Sequence, residues 1–218
     1  LYYEQGSVTN DNFGWWLGGG DGNVSYVQRL NFSADTSTTS NRGFLRYGAS
    51  CIAGTSTDSY GWVFGGGGGG GLGGNGPYLS SSNRINFSND TVTASERGNL
   101  NIGRAAAGSF GNSSYGWIFS GRNSSSTSHS SIERIDYSND LSNILIRSNV
   151  SLARAGGTST GNSSFGWFAG GSQYNYGNTV YSRVDRLDFS NDTTNSSIRN
   201  NLTSQRYAVG ATTNARNS

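Results

Sequence analysis

The sequence predicts an all-β protein built of four-stranded sheets, and three observations carry that prediction. An aromatic-Gly-Trp motif ending in small residues occurs four times, and its central glycines, Gly14, Gly61, Gly116 and Gly166, stand 47, 55 and 50 residues apart. A second motif, Arg-apolar-(Asn/Asp)-aromatic-Ser-x-Asp, follows each first one. Within both motifs the apolar residues alternate with period two rather than 3.6, as side chains do on a strand.

The four elements of each repeat follow in order. The first is a small-residue strand, Gly- and Ala-rich as in Arg104-Ala-Ala-Ala-Gly108. The second is Phe13-Gly-Trp-Trp-Leu-Gly-Gly19, Tyr60-Gly-Trp-Val-Phe-Gly-Gly66, Tyr115-Gly-Trp-Ile-Phe-Ser-Gly121 or Phe165-Gly-Trp-Phe-Ala-Gly-Gly171. The third is Arg29-Leu-Asn-Phe, Arg84-Ile-Asn-Phe, Arg134-Ile-Asp-Tyr or Arg186-Leu-Asp-Phe. Ser-Ala-Asp35, Ser-Asn-Asp90, Ser-Asn-Asp140 and Ser-Asn-Asp192 come next. These are turn residues, whose side chains bond the backbone ahead of them, so they close a hairpin to the fourth strand. That strand carries a second Arg seven residues after the Asp (Arg42, Arg97, Arg147, Arg199) and an apolar residue three further on (Leu45, Leu100, Val150, Leu202). A third Arg opens the next unit (Arg46, Arg104, Arg154, Arg206).

Four antiparallel strands per repeat of this length is the arithmetic of a β-propeller blade. The expected repeats span 1–45, 46–103, 104–153 and 154–205 of a single propeller region, 1–218. Residues 206–218 fill the first-strand slot of a further blade, so a portion of a longer array, larger or open, is expected. Trp15, Trp62, Trp117 and Trp167, with the third-strand arginines and the turn aspartates, are assigned to the architecture, and Arg and Asp of adjacent repeats are expected to pair.

The order Arg, small residues, aromatic strand with Gly-Gly, apolar-Asp-aromatic turn resembles a kelch repeat. Tyr60-Gly-Trp-Val-Phe-Gly-Gly66 and Arg186-Leu-Asp-Phe-Ser-Asn-Asp-Thr193 carry that resemblance over nearly the whole chain. It is most similar to the kelch-like structural proteins of marine bacteriophages, including cyanophages. It departs from cellular kelch repeats where Arg and Leu replace a Trp after the turn. The resemblance implies a propeller and says little of function.

Composition narrows the function. Hydrophobic residues make up only 33% of the chain, but 12% is aromatic, which sets it apart from a disordered polymer. All fifteen basic residues are Arg, and the three repeat positions hold every one except Arg122, Arg183 and Arg216. A net charge of +2 with its arginines spent on architecture argues against nucleic acid as a partner. No apolar run reaches the length of a membrane span. The single cysteine, Cys51, among small residues, reads as a buried structural thiol.

Catalysis is not expected. One histidine, His129, rules out the paired His ligands of a copper site. Three Glu (Glu4, Glu96, Glu133) and mostly turn-bound Asp leave little for a glycosidase pair. The acids fit no calcium loop, so neither metal nor cofactor is expected.

Room for function remains in the connection between the second and third strands. From central Gly to the next motif Arg it measures 15, 23, 18 and 20 residues. A constant scaffold with varying loops is how binding surfaces are built. The candidate ligand-binding residues are Leu72 and Tyr78 in the glycine-rich second connection, Arg122 and His129 in the third, and Tyr174, Tyr176 and Tyr181 in the fourth. The expected function is a non-enzymatic virion module, a tail fibre, adhesin or decoration protein serving attachment or assembly. Its partners would be a host surface glycan or another virion protein, in a homo-oligomer or larger assembly, on a virion or outside the cell. A secreted, lectin-like carbohydrate-binding kelch protein is the alternative.

Overall fold

A computed structural model describes residues 5–20, 24–67, 77–123, 127–173 and 179–207. They form four four-stranded antiparallel sheets, the blades of a β-propeller, in strand order 1-2-3-4 within each. Contacts group the chain into two compact units, Leu1–Ala105 and Ala106–Ser218, each holding two blades. The first unit contains β1 (Gly6–Thr9), β2 (Phe13–Leu17), β3 (Tyr26–Asn31) and β4 (Ser40–Phe44), then β5 (Ala53–Ser56), β6 (Tyr60–Phe64), β7 (Ser82–Asn86) and β8 (Ser95–Arg97). The second contains β9 (Gly108–Gly111), β10 (Tyr115–Phe119), β11 (Ser131–Asp136) and β12 (Leu145–Asn149), then β13 (Thr158–Gly161), β14 (Phe165–Ala169), β17 (Arg183–Asp188) and β18 (Ser197–Asn201). A two-stranded ribbon, β15 (Ser172–Gln173) and β16 (Thr179–Val180), sits in the last blade's connection.

The two motifs found in the sequence lie side by side. Trp15 pairs with Arg29, Trp62 with Arg84, Trp117 with Arg134 and Trp167 with Arg186 across the second and third strands. The guanidinium of each of these arginines lies 4.2 to 4.4 Å over the aromatic ring that opens the second strand (Phe13, Tyr60, Tyr115, Phe165). Such a cation over a ring face covers apolar surface without losing its charge interactions.

The expected turn after the third strand is one turn of 3-10 helix in every blade. Its cap is Asn31, Asn86, Asp136 or Asp188, whose side-chain oxygen accepts from the backbone N–H two residues on. The hairpin between the first two strands has a matching device. Asn10, Asn112 and Asn162 each accept two backbone N–H bonds at 2.9 Å. These short polar side chains satisfy turn amides that no ladder reaches.

The turn aspartate joins one blade to the next. In the first unit, Phe87 of the second blade's turn stacks on Trp15 of the first blade at 3.9 Å, with the rings 7° apart. Asp90, three residues on, accepts from Trp15 Nε1 at 2.8 Å, Arg29 Nη1 at 3.1 Å and Arg42 Nε at 2.8 Å. The second unit repeats this: Phe189 stacks on Trp117, and Asp192 accepts from Trp117 Nε1 at 2.9 Å, Arg134 at 2.9 Å and Arg147 at 3.1 Å. Burial pushes the Asp90 carboxyl up. Hydrogen bonds from Arg42 and Trp15 and the charges of Arg29 and Arg42 outweigh it and hold Asp90 below the ordinary carboxylate value. Asp140 and Trp62 are also buried, whereas Asp35 is exposed and Trp167 half-buried.

The expected first strand is displaced. The run after the third Arg is not the strand; in the last blade Arg154-Ala-Gly-Gly is an irregular link, and pairing starts at Thr158. Gly156 turns left-handed there (φ 67°), as does Cys51 (φ 55°) ahead of β5. The backbone N–H and C=O of Ala155 bond Ser172 instead of extending a strand. Cys51 is only half-buried, not enclosed as its small neighbours suggested.

Candidate functional site: the strand-two to strand-three connections

Antiparallel order puts the C-terminal ends of a blade's second and fourth strands at the same end. In each blade the variable connection therefore shares that end with the link that leaves the fourth strand, and this end of the blade is the candidate binding surface.

Each connection leaves the sheet through a left-handed pair. Gly65 and Gly66 have φ of 62° and 104°, and Gly170 and Gly171 of 67° and 97°. A Cβ at Gly65 would stand 2.3 Å from the Arg104 carbonyl oxygen, so glycine is needed for space as well as for conformation. The bend lets Gly66 N–H donate to the Arg104 carbonyl at 2.8 Å, Gly121 N–H to that of Arg154 and Gly171 N–H to that of Arg206. In the first blade Gly19 N–H makes the same bond to the Ala49 carbonyl at 2.8 Å. In the third blade Ser120 holds the left-handed position (φ 58°). Its hydroxyl donates to the His129 carbonyl at 2.7 Å and accepts from Arg154 N–H at 3.2 Å, which offsets the strain.

Beyond the bend, the last three connections are pinned at their bases. Gly67 bridges both Ser50 and Tyr78, Arg122 bridges Ser128, and Ser172 bridges Ala155 while pairing with Val180. The structure thus places Tyr78 half-exposed at the foot of the second connection. Arg122 stands at the foot of the third but is buried, 2% exposed, so its guanidinium faces protein rather than solvent. His129 is half-buried, and its backbone N–H donates to the Gly121 carbonyl at 2.8 Å. Tyr181 is half-buried and donates its hydroxyl to Gln173 Oε1 at 2.8 Å, tying the ribbon to the sheet. Leu72, Tyr174 and Tyr176 lie outside the described residues.

Under the fourth connection sits a buried ion pair absent from the sequence-level site. Arg154 Nη2 and Asp185 Oδ2 are 2.7 Å apart, with both side chains essentially inaccessible. Arg154 also donates to the carbonyls of Gly170, Leu152 and Phe168, and lies over the Phe168 ring at 4.5 Å. Asp185 accepts from Ser151 N–H at 2.9 Å and Ser196 hydroxyl at 3.1 Å. Burial lowers the Arg154 pKa against the pull of the Asp185 charge. Burial raises that of Asp185, but Ser151 and Arg154 prevail and hold the carboxyl below its usual value. A charge pair this fully satisfied fixes the base of the connection; its atoms are committed inward. Among the described residues, no group of three or more His, Cys, Asp or Glu side chains is gathered as a metal site. A shallow depression in the first blade is lined by Gln5, Gly18, Val24, Tyr26 and Gln28.

No family model and no curated protein sequence matches the chain. Solved structures do. The structure of YjhT superposes with a TM-score of 0.75 over 93% of this chain, at 11% identity. At that identity the likeness speaks for the fold alone. The chain spans 66% of the length of that protein.

Proposed function

We propose that the chain is a kelch-like propeller that binds rather than catalyses: a virion structural or attachment module whose partner is a host surface glycan or another virion protein. The observation that carries this reading is the contrast within each blade. The Trp, Arg and Asp positions recur in all four repeats, whereas connections of 15 to 23 residues differ between repeats. Tyr78 and Tyr181, half-exposed at the feet of two connections, offer ring faces of the kind that stack on sugars. The repeat resemblance to phage structural proteins points to the virion. A glycan array and a host-cell adsorption assay with the recombinant protein test the proposal. Glycan binding that falls when Tyr78 and Tyr181 are changed to Ala supports attachment. Failure to bind glycans and cells, with tight binding to another virion protein, leaves assembly as the role. Failure in all three removes the proposal.

A secreted, lectin-like protein is the second reading, favoured by Asn-x-Ser/Thr at Asn112, Asn123 and Asn162. Glycans on these side chains in native material would select it over the virion.

A further inference from the structure

The blade-to-blade lock has a socket and a plug. The socket is a Trp, the Arg beside it and the Arg of the fourth strand. The plug is the aromatic and the Asp of the next blade's turn. Phe87 and Asp90 fill the socket of the first blade, and Phe189 and Asp192 that of the third.

The fourth blade carries the same socket, Trp167, Arg186 and Arg199, in an open state. Trp15 and Trp117 are 0% exposed, but Trp167 is only half-buried. Arg42 and Arg147 are half-buried against their aspartates, but Arg199 is exposed. The Arg186 guanidinium is already fixed 4.2 Å over Phe165, the placement from which Arg29 and Arg134 donate Nη1 to their aspartates. A preorganised, doubly cationic site beside an indole N–H is therefore held ready for a carboxylate.

The first blade carries the same plug, unused. Phe32 is 44% exposed where Phe87 is 9% exposed, and Asp35 is exposed where Asp90 is buried. The plug is also preformed: the Asn31 side chain caps the Phe32–Ala34 turn as Asn86 caps Phe87–Asn89. The flanking backbone matches too. Ala94 N–H donates to the Phe44 carbonyl and Ser196 N–H to that of Asn149. Thr39 and Asn201 stand at those two positions in the open plug and the open socket.

We propose that the Phe32–Asp35 turn of a second copy of this chain docks into the Trp167–Arg186–Arg199 socket, joining copies head to tail through one more junction of the kind seen inside each unit. One carboxylate meets two guanidiniums and one ring meets one indole, so charge and shape are complementary at both ends. A heterologous contact of this sort continues until the rotation closes into a ring.

The test needs the 218-residue protein and two charge-reversed variants, Asp35→Lys and Arg199→Glu. Both positions are exposed, so folding is spared. Light scattering after gel filtration and sedimentation velocity, from about 1 to about 100 μM, cover the range in which a modest interface populates its complexes. The unaltered protein is expected to associate with rising concentration. Each variant alone is expected to lose association by about tenfold or more. Mixed, the two variants are expected to associate again, at least as a heterodimer, because one keeps a sound socket and the other a sound plug. A monomer throughout, or an oligomer that neither substitution weakens, would overturn the proposal. So would association of the unaltered protein without a heterodimer in the mixture.

Discussion

At the residue scale the structure rests on a few charges in apolar settings. Asp90 is inaccessible and meets an indole N–H and two guanidiniums, each about a quarter exposed. Removing the acid strands the arginines against the Trp15–Phe87 stack, so Asp90→Ala should cost about 3 kcal/mol. Asp35→Ala, the same change at an exposed turn, should shift stability by about 0.5 kcal/mol or less. Denaturant melts of the two variants at protein concentrations low enough to exclude association make the comparison; equal effects would show that the lock contributes nothing. Asp90 and Asp185 are both held below the usual carboxylate value, about 3.9 when unfolded. The unfolded chain takes up protons first as pH falls, so their contribution is present above that value and is lost as pH drops through the folded ones. Thermal melts should be flat between about pH 5 and 7 and decline below about pH 4. The arginine positions were legible because they repeat. Their pairing with an Asp of the adjacent repeat was expected and is found at Asp90 and Asp192; that the same carboxylate also takes an indole N–H became visible only in space, because Trp15 and Asp90 are 75 residues apart. Arg154–Asp185 escaped the sequence altogether: Asp185 stands where the other repeats have Gln28, Asn83 and Glu133, so no repeated letter marked it.

At the element scale, the second and third strands were the most readable, because alternation and a cross-strand Trp–Arg pair act in one register. The first strand was misplaced by four residues in the last two blades, since small residues suit a tight link as well as a strand. That link is set by the Gly-Gly bend of the preceding blade, which the linear pattern did not connect to it. Strand four shows how tightly the blades meet. A Cβ at Gly43 would lie 2.1 Å from the Val92 carbonyl oxygen and 2.9 Å from that of Asp90. Both contacts are backbone and cannot turn aside. Gly43→Ala is expected to destabilise by about 2 to 3 kcal/mol. Gly14→Ala meets the Phe32 ring at 3.3 Å, an exposed side chain able to move, and Trp16 at an ordinary 3.7 Å, and should cost less than about 1 kcal/mol beyond any gain from a stiffer unfolded chain. Chemical melts of both variants decide it, and the idea of a rigid junction fails if Gly43→Ala is the milder.

At the scale of the whole molecule, much of the positive charge of a basic sequence is set against acids. Arg29, Arg42, Arg134, Arg147 and Arg154 all face aspartates. Retardation assays with duplex DNA and single-stranded RNA at about 150 mM salt should show no binding in the micromolar range, the level at which a true basic patch still holds phosphate. The architecture was legible because repetition multiplies a weak signal fourfold, whereas the connections proposed to bind were not, because they are what fails to repeat. The turn caps bear on how such a molecule ages. An Asn-rich chain loses side-chain amide nitrogen to slow hydrolysis, and at most sites the new charge is a lesion. At Asn31 and Asn86 direct hydrolysis would give the residue already present at Asp136 and Asp188, accepting the same N–H through the same oxygen. The isoaspartate that forms through a succinimide would instead add a methylene to the backbone and break the cap, so these corners tolerate the new charge but not the longer chain.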